Sequence, residues 1–253
     1  MTVPFAWMVL TSLKTLGETN HVPPIIFPTA PQWVNYATAV SQAPVLAQYR
    51  NTALMALGRV AGQLLCCSLA GYAFARIEFP GRRVIFVVLL CLLMIPDQLA
   101  LIPLYLEMKS FGWINEMPAL IVPGMFSVFG TFLFRQFFMS LPRDLEEAAR
   151  LDGANQLQIY WHVMLPLVKS ATTAVALFTA LWSWNALIWP LIVINSADRT
   201  TLSAGLATLN GQYTTNYPIL MAGSTLAVIP MIVLFIVLQR QFVQGIALTG
   251  TRG

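Results

Sequence analysis

Five stretches of this chain are each long and oily enough to cross a lipid bilayer, and nothing else in it constrains the fold as strongly. About 20 mostly apolar residues carry a helix through the hydrocarbon core. Residues 52–75, 84–106, 118–138, 170–194 and 218–239 meet that length. Prolines 96, 103, 123, 190 and 230 interrupt several of them, which a helix bundle tolerates because neighbouring helices satisfy the freed backbone groups. Composition agrees. The 253 residues are 57% hydrophobic and 9% charged, whereas a soluble domain carries about 25% charged residues to keep its surface wet. The expected fold is all-α, a polytopic membrane helix bundle. A transmembrane barrel would show short alternating segments instead, and the chain has none.

Before the first span, "VPFAWMVLTSLK" (residues 3–14) reads as the outer remnant of a sixth. It is too short to cross alone, and its flanks do not make a signal peptide. A truncated or mis-assigned start is one account of it, and a short interfacial anchor is the other. No repeat and no Gly/Ser-rich linker divides the chain, so one domain, 1–253, is expected.

Lys and Arg in the loops set the orientation. Arg76, Arg82, Arg83, Arg135, Arg143, Arg150, Lys169, Arg240 and Arg252 collect on one side. Lys14, Arg50, Lys109 and Arg199 collect on the other, with Arg59 inside a span. Nine against four predicts that the first side, with the C-terminus, is cytoplasmic. Residues 14–49, 109–117 and 195–217 are then outside. The net charge of +4 comes with no basic-aromatic stripe, so nucleic acid is not indicated as a partner. Cys66, Cys67 and Cys91 lie in apolar runs without C-x-x-C spacing, and His21 and His162 lie far apart. Neither a metal site nor a cofactor is expected.

One inner loop departs from its oily surroundings: "PRDLEEAARLDGANQLQIYWHVMLPL", residues 142–167. Pro142 suits a first helical turn, and Asp144, Glu146 and Glu147 favour its positive end. Arg143/Glu147 and Glu146/Arg150 are spaced to pair at i, i+4. Gly153 breaks the helix. Asn155 and Gln158 then form the pattern of a capping box opening a second helix, with Leu157, Tyr160, Trp161 and Met164 on its apolar side and Pro166 at its end. The expected structure is a helix–turn–helix elbow with small residues, Asp152-Gly153-Ala154, at its tip. An amphipathic loop resting on lipid would favour Lys and Arg on its polar face. The acidic face favours a protein partner.

"EEAARLDGANQLQIYWHVMLPL" (146–167) resembles the signature loop of permease subunits of binding-protein-dependent ABC importers. "AGYAFARIEFPGRR" (70–83), "LMIPDQLALIPLY" (93–105), "FGWIN" (111–115), "WSWNALIWPL" (182–191) and "LQRQFVQGIALTGTRG" (238–253) are similar to its maltose-type carbohydrate-uptake branch. The resemblance implies a coupling loop, 140–168, that docks into a cytoplasmic ATPase. By position it assigns coupling to Glu147, Ala148, Asp152, Gly153 and Ala154, with Glu146 a candidate ion-pair partner. It also implies a sister permease in a heterodimer, two ATP-binding subunits, an extracellular or periplasmic solute-binding protein and a bacterial inner-membrane location. The tail 249–253 resembles a segment that reaches toward the ATPases. No G-x-x-x-x-G-K-[ST] occurs, so this chain cannot cradle ATP phosphates in that way, and no enzymatic activity of its own is expected.

Ionisable groups at membrane depth cost about 2.5–3.5 kcal/mol each on insertion scales, so Arg59 and Asp97 are functional candidates. They can tie two helices together or line the solute pathway. Trp182, Trp184, Asn185 and Trp189 join stacking faces to an amide, as a sugar path requires, or form an interfacial belt. Asn185 is the first choice for solute contact. In the outer loop 198–217, Gln212 and Tyr213 are the expected contacts to a binding protein. The function read from all this is ATP-driven import of a sugar or sugar-like solute by alternating access. A secondary transporter driven by an ion gradient is the rival. It needs intramembrane carboxylates, and Asp97 is the one acid well inside a span.

Overall fold

The computed structural model describes residues 3–42, 44–208 and 215–247, without the side chains of 234, 235 and 237–247. Among the described residues every regular element is a helix, as the pattern of apolar runs requires. In chain order they are α1 Val3–Ser12, α2 Leu16–Thr19, α3 Val34–Gln42, α4 Val45–Arg76, α5 Arg82–Cys91, α6 Leu101–Ser110 and α7 Met117–Ile121. There follow α8 Val128–Ser140, α9 Asp144–Leu151, α10 Gln156–Leu167, α11 Lys169–Trp184, α12 Ile188–Val193, α13 Leu202–Thr208 and α14 Tyr217–Ala247.

Of the five expected spans, the first is one unbroken helix, α4, which begins seven residues earlier than the apolar run at 52. The second is not continuous. α5 and a 3-10 turn, Leu92–Met94, stop at Ile95, whose backbone is extended at φ −88° and ψ 121°. Pro96 forces that: its ring disfavours helical geometry in the residue before it. The chain resumes in a second 3-10 turn, Asp97–Ala100, and α6, bent by 97° from the first half. The third span bends by 40° between α7 and α8 around Pro123 and Gly124. α11 ends at Trp184 and the chain re-enters helix only at Ile188, so the fourth is also divided. α14 carries Pro230 within a single helix. Of the five expected spans, two run as single helices, and proline supplies the breaks in the second and third. α1 places the N-terminal apolar stretch in a helix of 10 residues.

The chain folds as two compact units. One comprises Met1–Leu54, Trp113–Met117 and Trp184–Val237, and the other Met55–Gly112, Pro118–Ser183 and Leu238–Gly253. The first unit gathers nearly all the stretches read as outer loops. Its polar backbone is held by side chains, as irregular chain requires. Asn115 Nδ2 donates to Ser196 Oγ at 2.9 Å, and its Oδ1 accepts from the amides of Asn195 and Ser196. Asn51 Nδ2 donates to the carbonyls of Asp198 and Thr200. The amide of Thr29 and two groups of Thr15 donate to Glu18, as does the Thr29 hydroxyl, and these bonds hold its carboxyl down to about 2.

The second unit holds the larger core. Cys67 and Tyr72 of α4 meet Phe134 and Phe138 of α8, Ile159, Tyr160 and Met164 of α10, and Ala171 and Val175 of α11. Tyr72 sits edge-on to Phe138 with centroids 5.4 Å apart and tilts against Tyr160 at 5.3 Å. Glycine lets α4 and α8 approach this closely. A Cβ on Gly71 would lie 2.6 Å from Phe134 Cβ and 2.9 Å from the Arg135 amide nitrogen.

Candidate functional site

The elbow folds as its sequence dictates. α9 opens with Asp144, Glu146 and Glu147 in its first turn and closes with Arg150 in its last, both complementing the helix dipole. Gly153 then takes φ +83°, where a side chain is strained, and its amide donates to Arg150 O while Ala154 N donates to Ala149 O. Asn155 caps the next helix as expected. Its side chain accepts from Gln158 N at 2.9 Å and Gln158 Oε1 accepts from Asn155 N at 2.8 Å. Within α10 the run Ile159–Met164 is wound as a π-helix. Pro166, which has no N–H and crowds the carbonyl four residues back, disfavours regular winding there. The wider turn buries Ile159, Tyr160 and Met164 together. After Leu167 the chain bends by 79° into α11.

What the elbow presents outward is a short mixed surface. Glu147, Ala148, Asp152 and Gly153 are exposed, and Leu151 stands 90% exposed between them. Nothing approaches within 4 Å of the place a Gly153 Cβ would occupy, so the tip is open as well as tightly turned. Ala154 is half-buried against the core. Of the two expected pairs, Glu146–Arg150 forms, at 3.8 Å, whereas Arg143–Glu147 forms no ion pair among the described residues. Glu146 requires a correction. It is 5% exposed and turned inward to Arg76 of α4, 3.5 Å away, so it is not available to an outside partner. The sequence signal was present in its spacing: position 146 lies on the face of α9 that Ala149 also turns to the core.

Sequence reasoning missed the stripe of α4 to which the elbow is tied. Ser68 Oγ and Tyr160 Oη lie 2.6 Å apart, and Gln156 Nε2 donates to Tyr72 Oη at 2.7 Å. Arg76 donates to the carbonyls of Phe138, in the last turn of α8, and of Leu141, just past its end. Further along the same helix Cys67 meets Ser127 O, Gln63 Nε2 donates to Gly124 O at 2.9 Å, and Gln63 Oε1 accepts from Thr179 at 2.6 Å. Arg59 Nε donates to Leu120 O at 2.7 Å. The positions 59, 63 and 67, and 68, 72 and 76, repeat every four residues, which is a helical face. From Arg59 to Arg76 it runs about 25 Å. Two of the carbonyls it serves, Leu120 O and Gly124 O, flank the bend at Pro123.

The expected solute residues disperse. Arg59 and Asp97 form no ion pair among the described residues: Arg59 serves the Leu120 carbonyl, and Asp97 lies exposed at the 97° bend. Trp182 is more than half exposed and stacks on Phe178 at 5.9 Å and edge-on to Phe129 at 5.9 Å. Trp184 belongs to the other unit, where its Nε1 donates to Ala227 O at 3.1 Å and its ring tilts against Tyr49. Asn185 is exposed just past the end of α11. Gln212, Tyr213 and the tail 249–253 lie outside the described residues.

Comparison with known proteins gives a consistent picture. The family model described as "Binding-protein-dependent transport system inner membrane component" matches residues 67–248. The chain is 38% identical over 205 residues to the arabinooligosaccharides transport system permease protein AraQ of Halalkalibacterium halodurans, covering 81% of this chain and 74% of that one. It is 35% identical over 242 residues to the lactose transport system permease protein LacG of Rhizobium radiobacter, covering 96% and 88%. It is 34% identical over 216 residues to the sn-glycerol-3-phosphate transport system permease protein UgpE of Salmonella typhi, covering 85% and 76%. The crystal structure of a bacterial ABC transporter involved in the import of the acidic polysaccharide alginate contains a chain that superposes with a TM-score of 0.85 at 23% identity. The match covers 95% of this chain and 90% of that chain, and it shows a shared fold.

Proposed function

This chain belongs to the binding-protein-dependent transport system inner membrane component family, and from that membership we propose that it imports a sugar or sugar-like solute. It works as one permease of a heterodimeric pore, with two ATP-binding subunits inside and a solute-binding protein outside. The whole chain acts as one transmembrane domain in a bacterial inner membrane, its elbow and C-terminus cytoplasmic. It hydrolyses no ATP itself. A sister permease and lipid would cover the apolar surface exposed at Leu92, Leu93, Met94, Leu99 and Ile102.

One observation carries the reading: an open, acidic, tightly turned elbow whose inner face is tied to the long helix α4. Glu147, Ala148, Leu151 and Asp152 present the surface an ATPase cleft would grip, and Gly153 permits the turn. The ATPases close on nucleotide, the elbow is displaced, and the helices packed on it follow. Asn185, Trp182 and Trp184 remain the proposed solute contacts, Asp97 and Arg59 the proposed polar lining, and Gln212 and Tyr213 the proposed binding-protein contacts.

Gly153→Asp tests this directly. Left-handed backbone costs a residue with a Cβ about 1–2 kcal/mol, and the new carboxylate adds charge to a tip already carrying Asp152. The variant is expected to insert in the membrane normally and to lose co-purification with the ATP-binding subunits. Normal co-purification together with normal ATP-dependent uptake would sink the docking role of the elbow.

A further inference from the structure

The coupling elbow has a joint as well as a tip. Arg76, the last residue of α4, is 4% exposed at its side chain, and Glu146 is 6% exposed. Two charges taken this far out of water are costly unless they face one another. Each is also fastened to a different element. Arg76 holds two carbonyls at the C-terminal end of α8, Phe138 O in its last turn and Leu141 O just beyond it, while Glu146 is the inward residue of α9 and pairs with Arg150 on the elbow itself. One ion pair thereby joins α4, α8 and α9.

Its geometry is unfinished. Arg76 Nε and Glu146 Oε1 stand 3.5 Å apart, close enough for an ion pair and too far or too poorly aligned for a hydrogen bond. Both atoms are buried, and neither has another hydrogen-bond partner. A cleft of about 390 Å³ lies against them, bordered by Arg143, Glu147 and Arg150, so there is room for α9 to shift. A buried donor and acceptor that nearly meet favour whichever elbow position brings them together.

We propose that the Arg76–Glu146 pair is the positioning joint through which displacement of the elbow reaches α4 and α8. The joint rests on the reading of the elbow as an ATPase dock. The Gln156–Tyr72 and Ser68–Tyr160 bonds hold α10 to the same helix and keep the pair in register. Removing the charge of Glu146 leaves Arg76 on its carbonyls but unhooks it from the elbow.

The test uses the complete importer in lipid vesicles with Cys66, Cys67 and Cys91 replaced by Ser. A bimane label is placed either on the elbow (His162→Cys) or on α4 (Leu57→Cys, exposed at 67%). Fluorescence is compared without nucleotide and with ATP plus vanadate. In the parent both labels are expected to respond. In Glu146→Gln the elbow label is expected to keep its response and the α4 label to lose it, and solute uptake per ATP hydrolysed to fall about tenfold. Arg76→Lys, which keeps the charge but not the fork, is expected to lie between. An α4 label that responds equally in parent and Glu146→Gln overturns the joint, as does loss of ATPase co-purification in that variant, which would make the pair merely structural. An elbow label silent in the parent overturns the docking reading itself.

Discussion

α4 and the α5–α6 segment are neighbours in sequence and similar in oiliness, yet they solve opposite problems. From Arg59 to Arg76, α4 is unbroken and directs a polar side chain at each turn toward a carbonyl, hydroxyl or carboxylate in its own unit. Residues 91–100, at the bend between α5 and α6, are all exposed, with Met94 at 83%. The first segment finds most of its polar partners within the chain. The second leaves its apolar side chains exposed. The difference teaches where force can travel. A helix tied at each turn to its neighbours moves with what it holds, whereas a bent, exposed segment yields.

If that contrast is sound, overpacking α4 should hurt most. Gly71→Leu drives a side chain into Phe134 Cβ and the Arg135 backbone, which cannot swing away. A loss of about 3 kcal/mol or more is expected, read as a lowered Tm in detergent. A Gly71→Leu protein with unchanged Tm would break the comparison. Cutting one rung should matter less: Gln63→Leu leaves the Thr179 hydroxyl and Gly124 carbonyl without their partner, for about 1 kcal/mol inside a membrane protein. The smallest effect belongs to the other region. Met94→Ala should change the stability of the isolated chain by no more than about 0.5 kcal/mol, leaving its Tm nearly unmoved. A larger loss there would mean that the bend is held within the chain after all.

Much of this was legible beforehand. The capping box at Asn155 and Gln158, the turn at Gly153 and the acidic start of α9 depend on residues within a few positions of one another, so local chemistry decides them. Glu146 shows where that legibility ends. Its i, i+4 partner was found, but Arg76 lies 70 residues earlier and no spacing rule links them. Likewise Arg59 and Asp97 looked like partners because both are costly in a bilayer, yet Arg59 is satisfied by the carbonyl of Leu120 beside a proline-made bend.

From its residues alone the chain fixes a membrane-spanning, all-helical protein with one acidic elbow, because apolar length, proline, glycine and capping act over a turn or two of backbone. Which side chains the elbow grips, and which of the five apolar runs stay straight, was decided only in three dimensions. A buried charge or a stripped carbonyl takes whatever partner packing brings within reach, however distant in sequence, and only folding sets that reach.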